Sequence, residues 1–172
     1  MRSFLGLPVT GALRQQLQLY CAAAPAGLAR WEAAEDWHLT LVFLGDPGAA
    51  RQAALASALA SLCARLAPIR QPLTGPIPFP VPGSPVLALE GRPVAPLAVL
   101  QTALSSLCRE RGMVLDDRAF RPHVTLARQH AGPVPPLAPA CLEAGEVVLY
   151  HSGDADAAGR RYQRRMSWPL GV

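Results

Sequence analysis

A chain of 172 residues that is 51% hydrophobic can bury a core of its own, which excludes a disordered or fibrous polypeptide. Its formal charge of +4 suits a phosphate-bearing partner without demanding nucleic acid. No apolar run reaches the ~18–20 residues that span a bilayer, and Pro8 comes too early for a signal-peptide core, so a cytoplasmic protein is expected.

Residues 4–7 read as a first strand ended by Pro8, after which Thr10 is placed to cap a helix with Leu13, Leu17 and Tyr20 on one apolar face. A short strand over residues 30–33 precedes a stronger one over 37–44, terminated by Gly45 and Asp46. Leu55, Leu59, Leu62 and Leu66 form the buried stripe of a helix over 49–66 that Pro68 stops. Pro72, Pro76, Pro78, Pro80 and Pro82 then mark residues 71–84 as a crossing between two lobes. A strand over 85–90 follows, then a helix over 96–111 with Leu97, Leu100, Leu104 and Leu107 inward and Gly112 as its C′ residue. After a strand over 121–127 and a Pro-rich loop through Pro139, residues 146–150 and 162–168 read as a hairpin, the second candidate place for a lobe crossing.

Two tripeptides stand out against this frame, His38-Leu39-Thr40 and His123-Val124-Thr125. Alternation along a strand turns His38 and Thr40 to one face, and Leu39, Leu41 and Phe43 to the other, so Phe43 is expected in the core. His123 and Thr125 share a face in the same way, with Arg121 nominally beside them. Half a chain separates the tripeptides, which suggests a pseudo-symmetric pair of lobes bringing two imidazoles and two hydroxyls to one cleft. Two histidines on opposite sides of a reacting atom form a general base and a general acid near neutral pH, and hydroxyls beside them hold an oxyanion. Cleavage of a phosphodiester needs that division of labour together with a cation for the non-bridging oxygens. Arg128 is the nearest cation, yet regular alternation turns it to the wrong face, so its participation requires a bulge or a strand end near Ala127.

Other chemistries find less support. His38, His123, His130 and His151 lack the His-Glu-x-x-His spacing of a zinc protease and have no dense carboxylate cluster around them, although Asp36, Asp46, Asp116 and Asp117 are candidate ligands or histidine-orienting groups. Ser152 has no nucleophile-elbow context, and no Gly-rich phosphate loop is present. Cys21, Cys63, Cys108 and Cys141 show no metal-like clustering and read as reduced structural thiols. The run from Arg160 to Arg165 is the clearest basic patch, able to steer RNA ends. Phe4, His151 and Tyr162 are candidates for the rim of the cleft.

The stretches His38-Leu39-Thr40-Leu41-Val42-Phe43-Leu44-Gly45 and Phe120-Arg121-Pro122-His123-Val124-Thr125-Leu126-Ala127-Arg128 resemble the paired signatures of the RNA 2′,3′-cyclic phosphodiesterases, the 2′-5′ RNA ligase family of the two-histidine phosphoesterases. The opening Arg2-Ser3-Phe4-Leu5-Gly6-Leu7-Pro8 and the run from Val148 to Leu170 extend the likeness over nearly the whole chain. This resemblance implies one bilobal α+β domain over 1–172, with antiparallel sheets of pseudo-twofold lobes around a central cleft and helices outside. It also implies hydrolysis of RNA 2′,3′-cyclic phosphate ends to 2′-phosphomonoesters with no cofactor and no metal. His38 would protonate the departing 3′ oxygen and His123 would activate water, while Thr40, Thr125 and Arg128 would hold the phosphate. Expected partners are RNA ends or small cyclic nucleotides, bound by a monomer away from any membrane. Reversible 2′-5′ joining of RNA fragments, or capture of RNA ends without catalysis, are the alternatives. His151 and the stretch Asp154-Ala155-Asp156-Ala157-Ala158 depart from the family pattern and bear on substrate preference.

Overall fold

The computed structural model describes residues 2–171. Its strands are β1 (Ser3–Pro8), β2 (Ala29–Trp31), β3 (His38–Gly45), β4 (Ile69–Phe79), β5 (Val86–Glu90), β6 (His123–His130), β7 (Ala140–Ala144), β8 (Glu146–Ser152) and β9 (Tyr162–Pro169). The helices are α1 (Gly11–Ala23), α2 (Gly48–Cys63) and α3 (Ala95–Glu110), and a 3-10 turn spans Ala34–Asp36.

The strands line up in the order β7-β4-β5-β6-β3-β1-β8-β9, with β2 added beside β6, and every pairing is antiparallel. Read outward from the junction of β6 and β3, the two halves mirror each other. β3, β1, β8 and β9 on one side answer to β6, β5, β4 and β7 on the other. Each half is an antiparallel four-strand unit, and α1 and α3 occupy corresponding places in the chain, α1 between β1 and β3 and α3 between β5 and β6, the two strands nearest the junction in each half. The expected bilobal α+β architecture with antiparallel sheets and outer helices is the one observed.

Helix positions follow from the apolar stripes. Leu13 and Leu17 of α1, Leu55, Leu59 and Cys63 of α2, and Leu97, Leu100, Leu104 and Cys108 of α3 are buried. Helix α1 packs on β7, α2 on β9 and α3 on β3, so α1 and α3 each lean on the opposite half. The result is a large apolar cluster running through both halves, with a smaller one of Phe4, Val148 and Tyr150 beside it. Burial of each leucine stabilises the fold by roughly 1.5–3 kcal/mol. Thr10 precedes α1 as anticipated, but its side chain makes no capping hydrogen bond.

The segment 71–84 is corrected by the structure: its first nine residues belong to β4, and the chain has already passed to the second half after α2. Prolines are tolerated there because β4 changes partner along its length. Residues Ile69 to Leu73 pair with β7, whereas Thr74 and Ile77 to Phe79 pair with β5, so each proline sits where one side of the strand is unpaired. The buried Gln71 locks this strand to the start of α3, accepting the Val94 N–H and donating to the Arg92 and Pro72 carbonyls. Gly91 is required beside it, because a Cβ there would lie 2.3 Å from the Pro72 carbonyl oxygen. The return passage to the first half is the single residue Gly145 between β7 and β8. Strand β7 follows the Pro-rich loop where the sequence pattern predicts no element, and the expected hairpin is formed by β8 and β9.

Candidate active site

Strands β3 and β6 meet antiparallel, with Leu39 opposite Val124. One residue to either side of that pair, the register sets His38 across from Thr125 and Thr40 across from His123. Both pairs project from the face opposite the buried Leu39 and Val124. Directly opposed residues stand about 4.5–5.5 Å apart at Cβ. The two tripeptides thus form a four-cornered cluster with a local two-fold axis, imidazole facing hydroxyl directly across the strands and the two imidazoles on one diagonal.

Each of these strands carries a bulge at the corresponding place. On β3, Gly6 pairs with Thr40 and Leu5 with Val42, which makes Leu41 the extra residue. On β6, Ala88 pairs with Thr125 and Leu87 with Ala127, which makes Leu126 the extra residue. An extra residue reverses the alternation beyond it. Arg128 therefore lies on the face of His123 and Thr125, and the obstacle that regular alternation raised is removed. The same reversal brings Phe43 to the cleft face, where it is 56% exposed, correcting the expectation that it would be buried. Phe43 and Arg128 occupy corresponding positions of the two halves.

The histidines are oriented by one device used twice. The Nδ1–H of His38 donates to the Asp36 carbonyl at 2.5 Å and that of His123 to the Arg121 carbonyl at 2.8 Å, each two residues upstream. This leaves Nε2 of both rings as the nitrogen available for proton transfer. Their surroundings differ. His38 stacks on Phe4 with ring centroids 4.6 Å apart and meets the edge of Tyr162 at 4.9 Å, with Tyr150 behind Phe4. Burial pushes its pKa down to about 4, reinforced by the nearby His123 and Arg128. His123 stacks on Phe79 at 4.1 Å, and Arg121 lies over the same Phe79 ring. Its pKa is also lowered by burial, and the Glu90 carboxylate opposes that shift.

Arg128 is held by groups that its motif does not contain. Its Nε pairs with the Glu32 carboxylate at 2.7 Å, and Nη2 donates to the Tyr162 hydroxyl at 2.7 Å. Glu32 reaches it because β2 pairs with β6, and the Glu32 N–H itself bonds the Leu126 carbonyl at the bulge. The buried Asp36 carboxylate accepts the backbone N–H groups of Arg161 and Tyr162, tying the β8–β9 hairpin to the segment that orients His38. Burial still holds its pKa above the ordinary carboxylate value.

The structure thus brings His38, His123, Thr40, Thr125, Arg128, Phe4 and Tyr162 together. It sends His151 elsewhere: the ring accepts from Gln52 of α2 at 3.1 Å and lines a neighbouring cavity of about 450 Å³ with Arg160, Arg161 and Arg164. Glu32, Asp36 as a hairpin anchor, Phe79 and the cleft position of Phe43 were not identified from sequence. Nothing local marked Glu32 or Phe79, since their places follow from pairing between distant strands. Among the described residues, no three His, Cys, Asp or Glu side chains group as a metal site.

A family model described as the 2′-5′ RNA ligase superfamily matches residues 11–150. An RNA 2′,3′-cyclic phosphodiesterase of Geobacillus stearothermophilus is 31% identical over 97% of this chain and 56% of its own length, so the chain spans about half of that curated relative. The crystal structure of E. coli LigT complexed with 3′-AMP superposes with a TM-score of 0.78 at 29% identity, covering 98% of this chain and 97% of that one. For LigT complexed with phosphate the TM-score is 0.72 at 29% identity, with coverage of 99% and 98%.

Proposed function

From this chain's membership of the 2′-5′ RNA ligase superfamily, we propose that it hydrolyses RNA 2′,3′-cyclic phosphate ends to 2′-phosphomonoesters, using its own side chains alone. The observation that carries the reading is the pair of bulged strands, which sets two histidines, two threonines and Arg128 on one face of the β3–β6 junction. Binding of 3′-AMP and of phosphate by E. coli LigT supports a cleft that takes phosphate-bearing nucleotide ends.

Water attacks phosphorus as His123 Nε2 takes its proton. The bond from phosphorus to the 3′ oxygen breaks, and His38 Nε2 gives its proton to that oxygen. Thr40, Thr125 and Arg128 hold the non-bridging oxygens, where negative charge accumulates. His38 is neutral in the empty cleft, since its pKa is about 4. Raising it to the neutral range costs about 4 kcal/mol, and one phosphate charge ~4 Å away supplies about 4 kcal/mol at an effective dielectric of ~20. The donated proton therefore enters with the substrate.

The test is conversion of a defined RNA ending in a 2′,3′-cyclic phosphate, measured in chelator beside His38→Ala and His123→Ala. The expected result is a 2′-phosphate product from the intact protein and loss of turnover in both variants. Full turnover in either variant removes that histidine from the mechanism. Net joining to a 5′-hydroxyl RNA makes ligation the main reaction, and tight binding without conversion leaves a capture module.

Among the described residues no helix is long and apolar enough to cross a membrane. All four cysteines are free, and burial raises the pKa of Cys21, Cys63 and Cys108 to about 11, which fits structural thiols in a reducing cytoplasm. A monomer completes the proposal, tested by its elution volume on size exclusion.

A further inference from the structure

The two ends of the cleft differ at the residue two places before each histidine. Beside His38 that residue is Asp36, buried and closed over by the Arg161 and Tyr162 N–H groups it accepts. Beside His123 it is Arg121, whose side chain stays 45% exposed. The neighbouring strands differ in the same way, since Pro8 stands opposite His38 and Glu90 stands opposite His123 on the cleft face. Arg121 is nonetheless fixed. Its guanidinium lies over the Phe79 ring at 4.6 Å, Nε donates to Glu90 at 2.7 Å and Nη1 donates to the Pro80 carbonyl at 2.9 Å. Nη2 has no hydrogen-bond partner among the described residues. Pairing with Glu90 offsets the charge, so this end of the cleft presents a rigid flat plane rather than a second phosphate ligand. Ile77, in line with Ala88 and Thr125 across β4, β5 and β6, adds an exposed apolar flank. In the proposed hydrolysis His123 takes the proton of the nucleophile, so the nucleophile arrives at this open end. Water needs no platform there, whereas a flat nucleophile does.

Resting on the cyclic phosphodiesterase reading, we propose that Arg121, laid on Phe79, forms an acceptor subsite where the base of a nucleoside with a free 5′ hydroxyl stacks, so that this hydroxyl replaces water at His123. A guanidinium plane stacks on the π face of any base, and the unpaired Nη2 donates to a base nitrogen or carbonyl. The step balances without water. A bond forms from the 5′ oxygen to phosphorus, and the hydroxyl proton goes to His123 Nε2. The bond from phosphorus to the 3′ oxygen breaks, and that oxygen takes the proton of His38. The product is a 2′-5′ phosphodiester, and occupancy of the Arg121 plane sets how much cyclic phosphate passes to a nucleoside rather than to water.

The experiment supplies a nucleoside 2′,3′-cyclic phosphate together with adenosine or with 1-O-methylribose, which carries the same 5′ hydroxyl and no base, and measures transfer and hydrolysis side by side. Intact protein should transfer to adenosine about ten- to a hundredfold more than to 1-O-methylribose at equal concentration, the range for one stacked base. Arg121→Ala should lower transfer to adenosine to the base-free level while hydrolysis changes little, which also shows that the variant is folded. Arg121→Trp should restore the preference, and Arg121→Lys, which keeps the charge and loses the plane, should not. Equal transfer to both acceptors by intact protein, or a preference that survives Arg121→Ala, overturns the subsite. So does an equal fall of hydrolysis and transfer in Arg121→Ala, and restoration by lysine overturns stacking as its basis. Hydrolysis without base-dependent transfer removes the acceptor subsite alone, whereas an intact protein that neither hydrolyses nor transfers defeats the cyclic phosphodiesterase reading itself.

Discussion

The half of the molecule built on β3 and the half built on β6 use the same backbone and dress it differently. Each has a His-x-Thr strand, a bulge at the following leucine and a ring anchored through Nδ1 to a carbonyl two residues back. Around His38 the second half of the pattern is aromatic, with Phe4, Tyr150 and Tyr162 crowding the ring. Around His123 it is ionic, with Arg121 paired to Glu90 at 2.7 Å above the Phe79 ring. Backbone symmetry places the two imidazoles that the proposed reaction uses for proton transfer, and side-chain asymmetry gives them different neighbours. A two-fold scaffold thus surrounds its two imidazoles unequally, as the proposed directional reaction requires.

The largest effects should come from the histidines, each alanine variant losing about 10²–10⁴-fold in kcat. A substrate with sulfur in place of the bridging 3′ oxygen separates the halves, because a thiolate leaves without a proton. It should restore turnover to His38→Ala and not to His123→Ala; rescue of the opposite variant would exchange the acid and base roles.

Next in size is the contrast between the arginines. Arg128→Ala should lose about 10²–10³-fold, the range for removing one donor to a charged transition state. Arg121→Ala, whose side chain pairs with Glu90 and the Pro80 carbonyl, should lose far less. Equal losses in single-turnover assays would mean that the halves share phosphate binding evenly. Glu32→Gln should fall between them, since it loosens Arg128 without removing it.

The aromatic wall predicts a pH effect on stability. The folded pKa of His38, about 4, lies below its unfolded value of 6.5, so the unfolded chain takes up the proton first. The stabilisation is present above pH ~6.5 and is lost as pH falls through that value towards ~4, by about 3 kcal/mol from this residue at the lower limit. Urea unfolding across that window should show the slope, and His38→Gln should flatten it. The smallest effect concerns the ionic half: Glu90→Gln removes the carboxylate that raises the His123 pKa, so the acid limb of kcat/KM should move to lower pH. A limb that stays in place would mean another group titrates there.

Much of this organisation can be read along the chain, because periodicity is local. The leucine stripes announced α2 and α3, and the two long motifs pointed to His38, His123, Thr40, Thr125 and Arg128 as site residues. Strand β4 escaped notice because its prolines resemble a linker until one sees that each half of it is paired on one side only. Strand β7, Ala140–Ala144, is five residues long beside a Pro-rich loop and has little pattern of its own.

The amino-acid sequence by itself determined the chemistry available to this protein: two histidines, each two residues from a threonine, on strands with one apolar face. Tertiary structure decided which further residues join them. A bulge is a mismatch between two strands, visible only once Leu126 is set against Leu87 and Ala88, and Leu41 against Leu5 and Gly6. Those two extra residues turn Arg128 and Phe43 into the cleft, and strand pairing from β2 supplies the Glu32 carboxylate that holds Arg128 there. Side-chain facing depends on counting from the partner strand, and that count is not contained in either strand alone.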